Sequence, residues 1–378
     1  MKLTKIAGGI LLIITIYNIL YVILFHKDSY FSFNYWRGFP ALEKIYISSQ
    51  YVNKHPIGWI PDETVNAYAG GKYIQGTLPQ LIAPDTPPLG RYFIGLSAVV
   101  FNNANEITLL SGILSLILLF LVGNQIFSNK LISLIPVAMV SSERIFLNQF
   151  IYTPLLDIMQ LVALLGCFYF FNKALNARKS FFFFILVSIC LGCFIAIKFF
   201  ITGITILAAE SIVLLLQGQK EKFYYLLATF PVSVFILLIT YIRSFWYGYS
   251  IKSFLGIQKW IFLYHKSQLI LPLSIWPLLL LNKWYVWYGN KPVISDSQWS
   301  ITWPVITVLA IVTMVFYFLK KIPHKKTVEI LFAWIACYML FFSFGQISSR
   351  YFVILIPVLY VVALYGIVGF LKMYEYRN

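Results

Sequence analysis

The chain holds thirteen Asp and Glu residues in 378 positions, so each carboxylate is informative. Asp62 and Glu63 are adjacent, directly after Pro61 and at the head of a helix-compatible run, Thr64 to Tyr73. An Asp at that place is an ordinary helix cap. Two like charges side by side can also raise one pKa, which suits a general base that takes a proton from a hydroxyl. Cations able to neutralise a phosphate stand elsewhere: Arg91 behind Pro87-Pro88-Leu89-Gly90, Lys72 on the same run as the Asp-Glu pair, Arg144 in the polar break Ser141-Ser142-Glu143-Arg144, and Arg350 at the head of the last apolar run. Arg offers phosphate bidentate donors, though an Arg at the end of an apolar run also simply snorkels to headgroups. Asp85 lies close to the Pro-Pro turn, and Asp157 ends Pro154-Leu155-Leu156-Asp157 before another apolar run. A carboxylate at a membrane edge is costly enough to suggest a role, and pairing with an Arg to hold two helices together would equally account for it. Glu210, inside the apolar run Ile204 to Leu216, is either a proton-coupling group or a lone snorkelling acid. The histidines, His26, His55, His265 and His324, form no H-x-x-x-H or H-x-E pattern, so no metal site is encoded locally.

The stretch Pro61 to Arg91, PDETVNAYAGGKYIQGTLPQLIAPDTPPLGR, resembles the protein O-mannosyltransferase family, within the GT-C group of membrane glycosyltransferases that use polyprenyl-phosphate sugars. That family carries an Asp-Glu pair in its first outer loop, then a Tyr/Ala/Gly-containing helix, then His-Pro-Pro-Leu-Gly-Lys. Here the Asp-Glu is intact, Arg91 keeps the charge of the Lys, and Thr86 stands where the family has His, so a role for that His does not carry over. Leu155-Leu156-Asp157 resembles the family's Leu-Leu-Asp, with Arg144 thirteen residues before the Asp instead of a few. The order Tyr264-His265, Trp276-Pro277-Leu278, Gly289-Asn290-Lys291-Pro292, Trp303, and the closing Arg350-Tyr351 with Pro357, is a fainter likeness.

The resemblance implies an inverting transferase. It would move a sugar, most simply mannose, from a polyprenyl-phosphate donor to a hydroxyl of a protein acceptor on the outer face of the membrane. Asp62 would be the base and Glu63 a positioning group. Arg91, Lys72, Arg144 and Arg350, with Asp157, Asp85 and His265, would hold donor and phosphate. Such chemistry needs cations at the departing phosphate and no Gly-rich nucleotide loop, and none is found. No cofactor is expected beyond the lipid-linked donor. Some distant members bind a metal with a Glu and a His, conceivably Glu63 and His265 here. Partners would be the polyprenyl-phosphate sugar, a protein or glycan acceptor and membrane lipid; relatives act on other sugars, lipids and wall glycans. A rival from another class is a secondary transporter or lipid flippase with Glu210 and Asp157 as coupling carboxylates. It calls for charged residues near mid-membrane on several helices and paired broken helices, whereas the polar residues here gather in one outer loop. A third is an inactive assembly subunit of the same fold, because Thr86 replaces the His.

The elements that must position these groups are membrane spans. Sixty per cent of residues are hydrophobic and only 11% charged, far from the roughly one quarter charged of a soluble domain. Apolar runs of about 17–25 residues recur, the length that crosses a bilayer. This predicts an all-α polytopic protein, one integral membrane domain over 1–378 with about 10–11 spans. A first outer loop, 26–88, carries the short interfacial helix. A second long outer segment, 244–300, lies along the surface and with its flanks holds seven of the ten tryptophans, an interfacial distribution. The first apolar run, Ile6 to Phe25, is too long for a signal-peptide core and should stay as an anchor. Further spans are expected at 158–171, 180–197, 200–217, 223–243, 301–319, 327–344 and 351–371, with the weak piece 131–140 failing to cross fully.

The net charge of +16 comes from basic residues in short loops, the positive-inside distribution, so no nucleic-acid partner is expected. Lys173, Arg178, Lys179, Lys220, Lys222, Lys320, Lys321, Lys325, Lys326, Lys372 and Arg377 mark the cytoplasmic side. That places both termini inside and the Asp62 loop and Asp157 outside. The four cysteines, Cys167, Cys190, Cys193 and Cys337, sit in apolar runs and read as small buried hydrophobes.

Overall fold

A computed structural model describes residues 2–53, 59–266, 271–286, 290, 292–345 and 347–375. Expectations resting on His55, Leu269, Trp287, Gly289, Lys291 and Arg377 lie outside them. Seven helices among the described residues are long and apolar enough to cross a membrane: Lys5–Phe25, Glu106–Phe127, Asp157–Asn176, Ser180–Ile197, Lys220–Ile239, Lys326–Ser343 and Ser349–Tyr374. Lys130–Ser142 and Arg144–Ile151 form an eighth, broken one, bent by 58° at Glu143. Three shorter apolar helices, Leu89–Phe101, Phe200–Leu216 and Thr302–Phe318, accompany them. The chain is an integral membrane protein: the expected spans 158–171, 180–197, 223–243, 327–344 and 351–371 fall on helices of spanning length, whereas 200–217 and 301–319 fall on two of the shorter ones and the weak piece 131–140 on the first half of the broken pair.

In lipid every backbone polar group must be satisfied within the segment, which is why these runs are helical. Burial then decides which helix is central. The last span is 83% buried over its apolar window and Asp157–Asn176 is 78% buried, whereas the first span is only 17% buried and lies at the rim. The break at 143 has an identifiable cause. Glu143 is buried and accepts hydrogen bonds from Thr302 Oγ1 (2.5 Å), Trp303 Nε1 (3.2 Å) and the Tyr360 hydroxyl, so an ionisable side chain ties the bend to two neighbouring helices.

The basic clusters and the carboxylates Asp62 and Asp157 lie at opposite ends of the bundle. Asp157 opens the helix Asp157–Asn176, and near that helix's other end Lys222 Nζ donates to the Leu175 carbonyl. At that same end Lys325 Nζ donates to Ile126 O (2.6 Å), and Gln217 Nε2 to Glu329 Oε2 (2.7 Å).

The segment between the span Lys220–Ile239 and the shorter helix Thr302–Phe318 holds the helices Ile242–Trp246, Ile251–Lys266 and Ile275–Leu281. A two-stranded antiparallel ribbon follows, pairing Trp284–Tyr285 with Val293–Ile294. Trp246 and Trp260 are exposed, as interfacial rings should be. Trp303 departs from that expectation: it is fully buried against Phe352 and hydrogen-bonded to Glu143, a core residue.

Candidate functional site

The loop helix Asp62–Ile74 begins where Pro61, extended at ψ 151°, hands the chain into helical geometry, with Asp62 and Glu63 in the first turn and Lys72 in the last. Both placements favour the helix through its dipole. The helix stops before Gly76, whose φ of +108° only a glycine adopts freely. Asp62 is not its cap: Pro61 holds that position and no side chain caps the helix. Instead the Asp62 carboxylate turns to Arg350, Oδ2 to Nη2 at 2.7 Å.

This helix lies directly on Leu89–Phe101 through two glycines. A Cβ on Gly70 would come within 2.9 Å of both the Arg91 carbonyl and the Gly95 nitrogen, and one on Gly95 would strike the Gly70 carbonyl. Gly90, the glycine of the Pro-Pro-Leu-Gly turn, serves a similar approach. Its Cβ would lie 2.6 Å from Leu156 and 3.1 Å from Ile197. The turn therefore presses against the segments that deliver Asp157 and Lys198.

Asp62, Asp85, Asp157, Thr86, Arg91 and Lys198 converge on one small polar cavity of about 30 Å³. Each of the three aspartates has its own cation: Asp62 with Arg350, Asp85 with Arg91 (3.1 Å), and Asp157 with Lys198. Lys198 was not among the residues the sequence singled out. It sits between the helix Ser180–Ile197 and the short turn Phe200–Thr202, its ammonium 4.9 Å from the Tyr351 ring centroid. A lone lysine between two apolar runs, at the end that the positive-inside pattern leaves poor in lysine, was the available signal.

The neighbouring carboxylate does not raise the pKa of Asp62 as expected. Desolvation by the surrounding chain pushes it up, but Arg350, Lys198 and Arg91 outweigh that and hold it below its ordinary value of 3.8. Asp62 is thus an ionised, half-exposed acceptor at neutral pH.

Several expected phosphate cations are committed elsewhere. Arg91 is only 2% exposed, and its guanidinium donates to Asp85, to Asn66 Oδ1 (3.1 Å) and to the Ala83 carbonyl. It ties the loop together. Lys72 pairs with Glu43 at 2.6 Å and lies over the Phe39 and Tyr68 rings, on the face toward the helix Tyr35–Ile47. Arg144 is exposed beside Glu143, Trp299 and Tyr360 in a separate cavity and reaches the Ser297 carbonyl. Arg350 does reach the site. Thr86, in the place of the family's His, is buried with its hydroxyl unpartnered among the described residues.

A second, mostly apolar cavity of about 550 Å³ adjoins the polar one and shares Asp157 and Lys198 with it. His265 and Lys266 line its polar end, and His265 Nε2 donates to the Asp85 carbonyl at 3.1 Å while its ring lies 4.6 Å from that of Phe199. Glu63 lines a different cavity, with Arg350. Glu63 and His265 thus line different cavities, and the described residues contain no group of three or more His, Cys, Asp or Glu able to hold a metal. Glu210 lines none of these cavities and does not snorkel. It is fully buried beside Cys190 and Cys167, with both carboxylate oxygens unpartnered among the described residues.

No family profile matches the sequence, and no curated protein matches it. Solved structures do. ArnT from Cupriavidus metallidurans bound to undecaprenyl phosphate aligns at a TM-score of 0.57 and 14% identity, over 88% of this chain and 59% of that one. The apo form of that protein aligns at 0.56, 15% identity, over 86% and 58%. The archaeal oligosaccharyltransferase AglB from Archaeoglobus fulgidus, in complex with an inhibitory peptide and a dolichol-phosphate, aligns at 0.51 and 13% identity, over 97% of this chain and 51% of that one. This chain spans between half and three fifths of the length of those it matches. At such identities the likeness is one of fold, and the fold is GT-C-like.

Proposed function

From a GT-C-like fold with an ionised aspartate beside a lipid-sized cavity, we propose that the chain transfers a sugar from a polyprenyl-phosphate donor to a hydroxyl acceptor. One observation carries this: the apolar 550 Å³ cavity and the polar cavity of Asp62 meet at the Asp157–Lys198 pair. The first isoprene units of a polyprenyl chain would enter the first, and its phosphate would come to rest at the junction. Two of the structures with the same fold are held with polyprenyl phosphates.

The acceptor hydroxyl oxygen attacks the anomeric carbon while its proton passes to Asp62. The bond from that carbon to the phosphate oxygen breaks on the opposite side, which inverts the configuration. Lys198 and Arg350 meet the charge left on the departing polyprenyl phosphate, the kind of pre-placed electrostatic stabilisation that contributes most to such transfers. Asp157 holds Lys198 and Arg91 holds the Asp85 loop, so both act by positioning. The resemblance to the O-mannosyltransferases implies mannose and a protein hydroxyl. The positive-inside pattern puts the site on the outer face and the termini in the cytoplasm.

The test is transfer from radiolabelled polyprenyl-phosphate sugars in membranes holding wild type or Asp62→Asn. Labelling by wild type that falls at least about a hundredfold in the variant supports the base, within the range for a lost general base. Equal labelling by both overturns the role of Asp62. No labelling from any polyprenyl-phosphate sugar overturns the transferase reading.

A further inference from the structure

The helix Ile251–Lys266 lies at the end of the bundle that holds the Asp62 pocket, and its last turns line the 550 Å³ cavity through Phe262, His265 and Lys266. Its faces differ in character. Phe254, Gln258 and Ile261, spaced four and three residues apart, are buried, with the Phe254 ring against Tyr241 and Phe245. Ile251, Leu255 and Phe262 share a second face and are 57%, 59% and 38% exposed. Lys252, Lys259 and Lys266 recur every seven residues, so they stand in one exposed stripe beside that apolar face, about 20 Å from end to end. The helix contains no Asp or Glu, and none of the three lysines pairs with a carboxylate among the described residues. Arg350, Arg91 and Lys198 around the neighbouring pocket are each held by an aspartate; these three cations are not.

We infer that this helix lies in the headgroup layer of the bilayer and binds the phosphates of anionic phospholipids along its lysine stripe. A row of cations beside a row of apolar side chains is the pattern of an interfacial helix. The apolar row enters the acyl boundary, and the flexible lysine stems keep their ammonium groups level with the headgroups. Charge complementarity alone would admit an acidic protein. The continuity of the apolar row with the lipid-sized cavity, through Phe262, favours lipid. Lys266 is at once the end of the stripe and part of the cavity wall, so lipids gathered along the helix stand next to that cavity's polar end. The binding itself goes beyond the transferase reading; only the inclusion of a polyprenyl-phosphate donor among those lipids rests on it.

The experiment places the 378-residue chain in phosphatidylcholine vesicles that hold a fixed minor fraction of dibrominated lipid, either phosphatidylglycerol or phosphatidylcholine. Leu255→Trp supplies a reporter on the apolar row, read as the emission gained over wild type; Ile251→Trp serves on the same row if Leu255→Trp folds poorly. Bromine on phosphatidylglycerol should quench the reporter more than bromine on phosphatidylcholine, since each lysine near an anionic lipid surface favours it about fivefold. The preference should largely disappear when Lys252→Gln and Lys259→Gln are added, changes at exposed positions that cost little stability. It should also disappear at about 1 M salt, where the Debye length is about 3 Å. Equal quenching by the two lipids without the lysine changes overturns the anionic selectivity. No quenching by either puts the helix in water, as an acidic partner or a solvated face would, and overturns the proposal. A preference that survives both lysine changes belongs to other cations and overturns it equally. None of these readings involves a sugar donor or turnover, so failure here leaves the role of Asp62 standing, and failure of the transferase reading leaves the lipid site.

Discussion

The Asp62 carboxylate on the loop helix and the Arg350 guanidinium at the head of the last span meet at 2.7 Å, joining the loop after the first span to the far end of the chain. The pair sets the charge state of the proposed base. Desolvation alone would raise the Asp62 pKa; Arg350 is the foremost of the cations that reverse the sign. In wild type the acidic limb of kcat/KM from Asp62 should therefore lie below 3.8, leaving the profile flat from roughly pH 5 upward as far as this group is concerned. In Arg350→Gln the limb should move to higher pH, because desolvation is then opposed only by more distant cations. A limb that stays in place in that variant would mean Arg350 does not tune the base.

Lys198→Gln should weaken the donor. Loss of one charge-assisted contact to phosphate corresponds to about 1.5–3 kcal/mol, or roughly ten- to hundredfold in donor KM. Acceptor KM should hardly move. Steady-state kinetics with the two substrates varied in turn separates the two effects, and an unchanged donor KM would remove Lys198 from the phosphate site.

Arg91→Met should act on stability first. It leaves Asp85, 15% exposed, without its cation and frees the Asn66 and Ala83 acceptors. Breaking such a pair by removing one partner costs about 3–5 kcal/mol. Thermal unfolding in nanodiscs should show a clear drop, whereas a variant of wild-type stability with a raised donor KM would restore Arg91 to the phosphate role its motif suggests.

Gly95→Ala should displace the base without touching it. The added methyl meets the Gly70 carbonyl, a backbone atom that cannot rotate away, so the loop helix must lift from Leu89–Phe101. Overpacking of this kind costs about 1–3 kcal/mol. Its signature would be a fall in kcat larger than the loss of stability alone explains; a kcat equal to wild type would show that Asp62 is placed by other contacts.

Much of this was legible in the residues. The run 180–197 carries no charged residue, and its length makes it a span. The Asp62 motif was visible because its carboxylates are so few. What the sequence could not show was pairing. Arg91 looks like a phosphate ligand until the chain reversal at Ala83, with φ of +48°, swings Asp85 back onto it. Lys72 looks equally available until Glu43 arrives from the preceding helix. Lys198 was hidden by the opposite error, since a lysine between two spans reads as loop punctuation. Glu143 read only as part of a polar break, although Thr302, Trp303 and Tyr360 come from far along the chain to satisfy it. Charge type is local information; neutralisation is tertiary.

The 550 Å³ cavity is bounded by Ile204, Leu340 and Phe344, 59%, 65% and 62% exposed on the outside of the bundle, an apolar rim of the kind that suits acyl chains. A polyisoprenoid would therefore slip in sideways from within the bilayer, without ever passing through water. Supply is then a two-dimensional matter, governed by the donor's mole fraction among lipids. Diluting vesicles of fixed composition should leave the turnover of each enzyme molecule unchanged, while adding inert lipid at constant donor should slow it.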